Sequence, residues 1–359
     1  MPSGCECAIY NNRSTRGWAN FSLMKPNIAA PISSNMKSSL LSALLIACTS
    51  LIVHAADPLP PADDHFAANM RRVFENDRLA DIRVTFGYDN WTDFKDPNDP
   101  GRARAFMVYL SQHQFVQTIC TPALAEQLGV DADAQNLRIF EGPGYPGQRL
   151  RVSLIWSAST SSTARNIGVG YPRQLRCSGE ALKFMQKASA DAEVMIYVGH
   201  SRGGGGPDTY PPQAVIGNAE DRQKVDFSFY RRERPGLKAL KPHFGKSPDK
   251  PYFVVWTGCY SENFSSWMSD RLGDRPDPAS VVLSTRLTRQ MPWIDGIEGA
   301  DEGLMVVTRL IEALQQHQPK VLFQKNLAAC ELDEMRNPEK PEWRLMALPS
   351  AKKTTLAKK

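Results

Sequence analysis

Three apolar runs of strand length constrain the fold of this chain more than any other sequence feature. They are Val194–Val198, residues 252–256 and Ser280–Ser284, and the first two are continuous rather than alternating. Strands without a polar face are typical of parallel sheets, because helices cover both sides of such sheets. Helical segments alternate with the runs. The pattern therefore predicts an α/β fold, a three-layer sandwich with a mainly parallel central sheet.

The flanking segments carry the periodicities that such a fold requires. Leu182, Phe184 and Met185 form an apolar side with a period near 3.6 residues, which predicts a helix over residues 179–190. Further helices are expected near 262–272 and over 304–316. Two alternating strands are expected earlier, over 81–88 and 148–157. The core of the fold is predicted to span 148–335, while the role of residues 56–147 stays open.

Residues 36–55 have the features of a secretory signal peptide. Lys37 precedes an apolar run over residues 40–53, and small residues lead to Ala55. The run is too short to span a membrane. We therefore expect residues 1–35 to be absent from the mature protein, cleavage near Ala55 and a periplasmic or secreted location. A lipoprotein cut and acylated at Cys48 is the less favoured alternative, because the apolar run continues beyond that residue.

Charge excludes one class of partner. The formal net charge is +5, and residues 1–55 contribute +3 of it, so the mature chain carries +2. Four lysines near the end of the chain lie in residues 336–359, which we expect to form a disordered basic tail. Nucleic-acid-binding proteins instead have a clustered basic face. No nucleic-acid partner is predicted.

The cysteines allow two interpretations. Cys120, Cys177, Cys259 and Cys330 follow the predicted cleavage point. In an oxidising compartment four cysteines predict two disulfides, for which three pairings are possible. Alternatively, one of these residues is a reactive thiol.

Reactive side chains follow the two most apolar runs. Gly199, His200 and Ser201 follow the first, while Gly258 and Cys259 follow the second. Ligands bind at the carboxyl ends of strands in open α/β sheets. If the strands are parallel neighbours, both groups reach the same edge, and each glycine allows a sharp turn there. A thiol just before a helix has a lowered pKa and is a usable nucleophile, for which the histidine would be the general base.

These motifs resemble the caspase–legumain–gingipain clan of cysteine peptidases. In caspases the histidine precedes the cysteine by about 50 residues, and His200 precedes Cys259 by 59. The resemblance implies a caspase-like fold and an exported cysteine peptidase that acts on a peptide or protein. It implies Cys259 as the nucleophile and His200 as the base. No metal or cofactor motif is present in the sequence.

The chain departs from the clan at one position. Ser201 follows the histidine where the clan has a glycine, whose N–H group helps to bind the oxyanion. We expect the Ser201 N–H group to bind the oxyanion instead. Gly258 and Ser261 are expected to lie near the site. The alternative is a catalytically inactive relative that serves as an envelope or binding protein.

A rival motif makes Ser201 the nucleophile. Residues 199–203 match the G-x-S-x-G elbow of α/β-hydrolases, which requires a helix directly after the serine. Four glycines at 203–206 and three prolines by residue 212 make that helix unfavourable. His243 and His317, the histidines that follow, are poorly placed to complete a triad. The serine hydrolase is therefore the less favoured interpretation.

Overall fold

The structure is a computed structural model. It describes residues 65–75, 79–88, 99–145, 147–202, 206–212, 215–216, 224–272, 278–285, 293–294, 297–298, 301–331 and 342–347. The predicted signal peptide over 36–55, its alternative at Cys48 and residues 1–35 lie outside this part of the chain.

Twelve strands lie in the described residues: β1 Leu79–Phe86, β2 Val116–Thr118, β3 Leu137–Pro143, β4 Arg149–Trp156, β5 Val194–Val198, β6 Val215–Ile216, β7 Lys224–Val225, β8 Phe253–Trp256, β9 Ser280–Ser284, β10 Trp293–Ile294, β11 Ile297–Glu298 and β12 Trp343–Ala347. The α-helices of the same residues are α1 His65–Arg72, α2 Asp99–Gln112, α3 Pro122–Leu128, α4 Thr163–Ile167, α5 Tyr171–Asp191, α6 Phe227–Glu233, α7 Pro235–Leu240, α8 Ser265–Leu272, α9 Glu302–Gln316 and α10 Lys320–Ala329. A 3₁₀ turn, Ser261–Phe264, precedes α8.

A mostly parallel sheet of eight strands is the centre of the fold, as predicted. Its order is β12-β9-β8-β5-β1-β4-β3-β2. The five strands from β9 to β4 run parallel, and the outer strands β12, β3 and β2 pair antiparallel. Numbered along the chain, the parallel strands lie in the doubly wound order 2-1-3-4-5. The topological switch point, where such sheets bind ligands, therefore lies between β1 and β5.

Helices cover both faces, which accounts for the continuous apolar strands. Ile196 and Val255 pack on one side with α1, α2, α9 and α10. Tyr197 and Trp256, the next residues along, pack on the other side with α5, α7 and α8. Successive strand residues point to opposite faces, so every position in these strands is buried. The predicted three-layer arrangement is confirmed at this level.

The segment before residue 148 supplies the middle of the sheet. β1 pairs with β5 on one side and with β4 on the other. Its Ile82, Val84 and Phe86 are fully buried. The role that the sequence left open for residues 56–147 is therefore to provide a central strand, two outer strands and three helices, so the sheet extends beyond 148–335.

The predicted disordered tail is wrong for one segment. Trp343–Ala347 forms β12, which pairs antiparallel with β9. The Trp343 side chain is buried. Five residues of mixed polarity give no clear strand signal by themselves, and they are ordered here because an open sheet edge accepts their backbone hydrogen bonds. The rest of 336–359 lies outside the described residues.

Helix α5 begins two turns before its predicted start. Pro172 lies in its first turn, a position that tolerates the missing N–H group. Gln174 and Ser178 are buried although they are polar, and this interrupts the apolar period. The Gln174 amide donates to the Ser157 carbonyl at 2.8 Å. None of the described helices combines the length and the apolar character needed to cross a bilayer.

Candidate active site

His200 and Cys259 follow two neighbouring parallel strands. β5 pairs with β8, and Tyr197 lies opposite Trp256 near the end of each strand. The Thr257 N–H group donates to the Tyr197 carbonyl at 3.0 Å, so the pairing continues past the last residue of β8. The predicted adjacency of these strands is confirmed. Both residues therefore leave the sheet at its carboxyl edge, beside the switch point.

The two loops remain in contact beyond the strands. A Cβ atom on Gly258 would lie 3.1 Å from the Gly199 carbonyl oxygen and 3.3 Å from the Ser201 nitrogen. The Ser201 hydroxyl donates a hydrogen bond to the Cys259 carbonyl. The residues on either side of His200 thus touch the backbone that carries the cysteine. His200 and Cys259 themselves are half-buried.

Ser261 shapes the turn that carries the cysteine. Its hydroxyl donates to the Trp256 carbonyl at 2.6 Å and accepts from the Ser284 N–H group at 2.8 Å. Its own N–H group donates to the Gly258 carbonyl at 3.1 Å. Ser261, predicted to lie near the site, is completely buried. Its side chain therefore joins the ends of β8 and β9 and sets the start of the helical segment that follows the thiol.

A buried tyrosine supports the histidine loop. The Tyr197 hydroxyl donates to the His200 carbonyl at 2.9 Å and accepts from the Asp208 N–H group at 3.0 Å. Burial raises the pKa of Tyr197 far above its usual value, so the phenol stays protonated. A Cβ atom on Gly199 would lie 2.7 Å from the phenol oxygen, and one on Gly87 would overlap it. Besides the sharp turn that the sequence predicts for it, Gly199 has no side chain and so leaves space for the Tyr197 ring.

An arginine directly after the serine fixes the rest of the loop. Arg202 is buried in the left-handed backbone region, with φ of 43°. Its guanidinium lies 2.9 Å from the Asp208 carboxylate and donates to the Tyr230 hydroxyl at 2.9 Å and the Tyr210 carbonyl at 2.7 Å. Burial raises the pKa of Asp208, and the arginine opposes that shift.

Sequence reasoning missed this support. Its only signal was a tyrosine within an otherwise aliphatic strand, because a buried hydroxyl needs a hydrogen-bond partner. The partners of the Tyr197 hydroxyl are backbone groups of His200 and Asp208, in a polar loop whose order is not visible in its composition. Their contacts exist only because the loop folds back over the end of β1, where the Tyr88 N–H group donates to the Asp208 carbonyl.

The serine-hydrolase elbow does not form at Ser201. This residue is 2% exposed, and its hydroxyl is used by the Cys259 carbonyl. Residues 206–212 form no helix, although the elbow requires one after its serine. His317 ends α9 beside Gln315, whose amide donates to the Pro143 carbonyl at the opposite edge of the sheet. That histidine cannot reach the serine.

The amino end of α9 lies at the same edge as the cysteine loop. A Cβ atom on Gly303 would lie 2.7 Å from the Thr257 hydroxyl oxygen, so only glycine permits this approach. Asp301 caps the helix by accepting from the Leu304 N–H group, and it pairs with the buried Arg102 guanidinium at 2.7 Å. The amino end of α9 therefore packs against the end of β8, just before Cys259.

The predicted disulfides are not formed. The four described cysteines, Cys120, Cys177, Cys259 and Cys330, are in the thiol form. Burial raises the pKa of Cys120 and Cys177, which disfavours their thiolates. In the part of the chain that the structure describes, no group of three His, Cys, Asp or Glu side chains is arranged to hold a metal ion.

Comparison of the chain with known protein families, with curated proteins and with solved structures found no match.

Proposed function

We propose that the protein is an exported cysteine-dependent hydrolase, a peptidase with a caspase-like fold, in which Cys259 is the nucleophile and His200 the general base. One observation carries the proposal: the two residues follow neighbouring parallel strands, and the Ser201 hydroxyl binds the Cys259 carbonyl across the loops. Ligands of open α/β sheets bind at this edge. The substrate class that follows from the resemblance is a peptide or protein.

The chemistry requires a thiolate and a proton carrier. After His200 takes the thiol proton, the Cys259 sulfur attacks the scissile carbonyl carbon and a C–S bond forms. The histidine then donates the proton to the leaving amine while the C–N bond breaks, which leaves a thioester. Water attacks the thioester, His200 accepts a water proton, and breakage of the C–S bond releases the acid and restores the thiol.

Two local features support these roles. A helical segment begins at Ser261, two residues after Cys259, and a thiol that precedes the amino end of a helix has a lowered pKa. The Ser201 N–H group lies beside Gly258, next to the cysteine, where an oxyanion donor is needed. Export rests on residues 36–55 of the sequence alone, which match a signal peptide.

Chemical labelling tests the proposal. A peptidyl chloromethyl ketone is expected to alkylate Cys259 in the native protein, and His200→Ala should slow that reaction by about tenfold or more. Cys120 is the matched control thiol, because it is also half-buried but has a raised pKa. His243→Ala is the matched control histidine. Peptide mapping by mass spectrometry assigns each modified residue.

The labelling experiment also separates the alternatives. Selective native labelling of Cys259 that depends on His200 supports the hydrolase. Equal labelling of Cys120 and Cys259, or labelling that increases on denaturation, contradicts it. The remaining alternative is then a caspase-like envelope or binding protein without catalytic activity. Labelling of Cys259 that is insensitive to His200→Ala would remove the histidine from its proposed role.

A further inference from the structure

A separate cavity lies between the first half of α5 and the segment that joins α3 to β3. Its volume is about 430 Å³, within the range of small-molecule sites. The Asn136 amide at its base donates to the Trp156 carbonyl at the end of β4, at 2.6 Å. The cavity therefore opens at the same sheet edge as His200, but two strands away from β5.

Charged side chains of both signs line this cavity, and they come from two different elements. Arg173 and Arg176 come from α5, and Asp131 and Asp133 come from the α3–β3 segment. Among the described residues, neither arginine has a carboxylate within 4.0 Å. Arg173 instead donates to the Gln135 amide oxygen at 2.8 Å. The cavity is thus lined by two arginines and three carboxylates. The Glu180 carboxylate is paired with Lys183 at 3.0 Å. In the described part of the chain, by contrast, Asp131 and Asp133 form no ion pair with either arginine.

The floor of the cavity is ordered and buried. Asn136, Cys177 and Glu180 are each more than nine-tenths buried. The Asn136 amide also donates to the Cys177 carbonyl at 3.1 Å, and the Glu180 carboxylate accepts from the Asp131 N–H group at 2.8 Å. These bonds tie α5 to the α3–β3 segment. The spacing of the two backbone segments is therefore set by the fold, while the side chains of Asp131, Asp133, Arg173 and Arg176 are exposed at the cavity mouth.

We propose that this cavity binds a small zwitterion, a free α-amino acid or a short peptide with both ends ionised. Such ligands carry a carboxylate and an ammonium group at neutral pH, because their pKa values lie near 3.5 and 8. The guanidinium groups of Arg173 and Arg176 bind the carboxylate, which they match in geometry. The ammonium group lies against Asp131 and Asp133. This site is independent of the proposed hydrolase activity.

Calorimetric titration of the whole mature protein with the dipeptide glycyl-leucine tests the site. We expect saturable binding of one dipeptide per chain. Arg176→Gln and Asp133→Asn should each weaken it by about threefold to fivefold, the range expected for partly exposed ion pairs. Arg165→Gln and Glu126→Gln are the matched controls, since both side chains are exposed outside the cavity, and they should leave the affinity unchanged.

Analogues and a chemical probe locate the bound dipeptide. N-acetylation removes the ammonium charge and should weaken binding as Asp133→Asn does. Carboxyl amidation removes the carboxylate charge and should weaken binding as Arg176→Gln does. The dipeptide should also slow modification of Cys177 by methyl methanethiosulfonate, because that thiol lines the cavity. Mass mapping distinguishes it from Cys259.

Three results would overturn the proposal. They are no saturable binding up to about 10 mM dipeptide, equal binding of the blocked analogues, and binding that leaves Cys177 modification unchanged. None of these measurements uses turnover, so an inactive Cys259 does not affect them. Conversely, a positive titration with no labelling at Cys259 would support this site and contradict the hydrolase.

Discussion

Removing one oxygen atom tests the support of the histidine loop. In Tyr197→Phe the ring stays, while the His200 carbonyl loses a donor at 2.9 Å and the Asp208 N–H group loses an acceptor at 3.0 Å. Leaving a buried polar group unpaired costs about 1–3 kcal/mol. For a domain of this size we expect the unfolding midpoint to fall by about 2–5 °C. Calorimetry or urea denaturation measures the loss.

The glycine next to the histidine makes the same test sharper. A Cβ atom on Gly199 would lie 2.7 Å from the phenol oxygen and 3.0 Å from the ring carbon that bears it. Gly199→Ala should therefore be destabilising in the native background, and less so when Tyr197→Phe has removed the oxygen. We expect a coupling energy of at least about 0.5 kcal/mol between the two substitutions.

A matched control tests whether removing any tyrosine hydroxyl destabilises the protein to the same extent. Tyr252→Phe changes another buried tyrosine, whose hydroxyl has no hydrogen bond to the described part of the chain. It should alter the free energy of unfolding by less than about 0.5 kcal/mol. If Tyr197→Phe behaves like this control, or if its cost simply adds to that of Gly199→Ala, the reasoning about the loop is wrong.

Two further predictions concern the site edge and the opposite edge of the sheet. Ser201→Ala should cost about 1 kcal/mol of stability, because the hydrogen bond to the Cys259 carbonyl is lost. A fluorophosphonate should not label native Ser201, and mass detection of such an adduct would revive the serine hydrolase. Burial raises the pKa of Glu193, while the Asp81 N–H group and Lys250 oppose the shift. The folded carboxyl therefore holds its proton at a pH where the unfolded one has lost it, and the contribution of this group to stability falls as the pH rises above about 4, the ordinary glutamate pKa. The Glu193→Gln variant lacks this dependence. Its free energy of unfolding minus that of the native protein, measured by urea titration, should therefore increase as the pH rises above about 4. A difference that stays constant or decreases would contradict the raised pKa of Glu193.

The sequence alone was sufficient to predict a mainly parallel sheet and the adjacency of β5 and β8. Val194–Val198 and Ser280–Ser284 appear with their predicted bounds, and β8 differs from its predicted run by one residue. Continuous apolar strands are stable only when both faces are covered, and alternating helices provide that cover. Because parallel strands end at one edge, His200 and Cys259 leave the sheet at the same edge once β5 and β8 are neighbours.

Tertiary structure decided what local patterns do not contain. Residues 81–88 read as one alternating strand, and only pairing on both sides makes β1 central. Trp343–Ala347 is a strand because β9 presents an open edge. The number of cysteines carries no distances, and the two disulfides that one interpretation of that number predicts do not form. Likewise, Gly199 is required by the Tyr197 phenol, a contact that depends on the fold around it and not on the residues beside it.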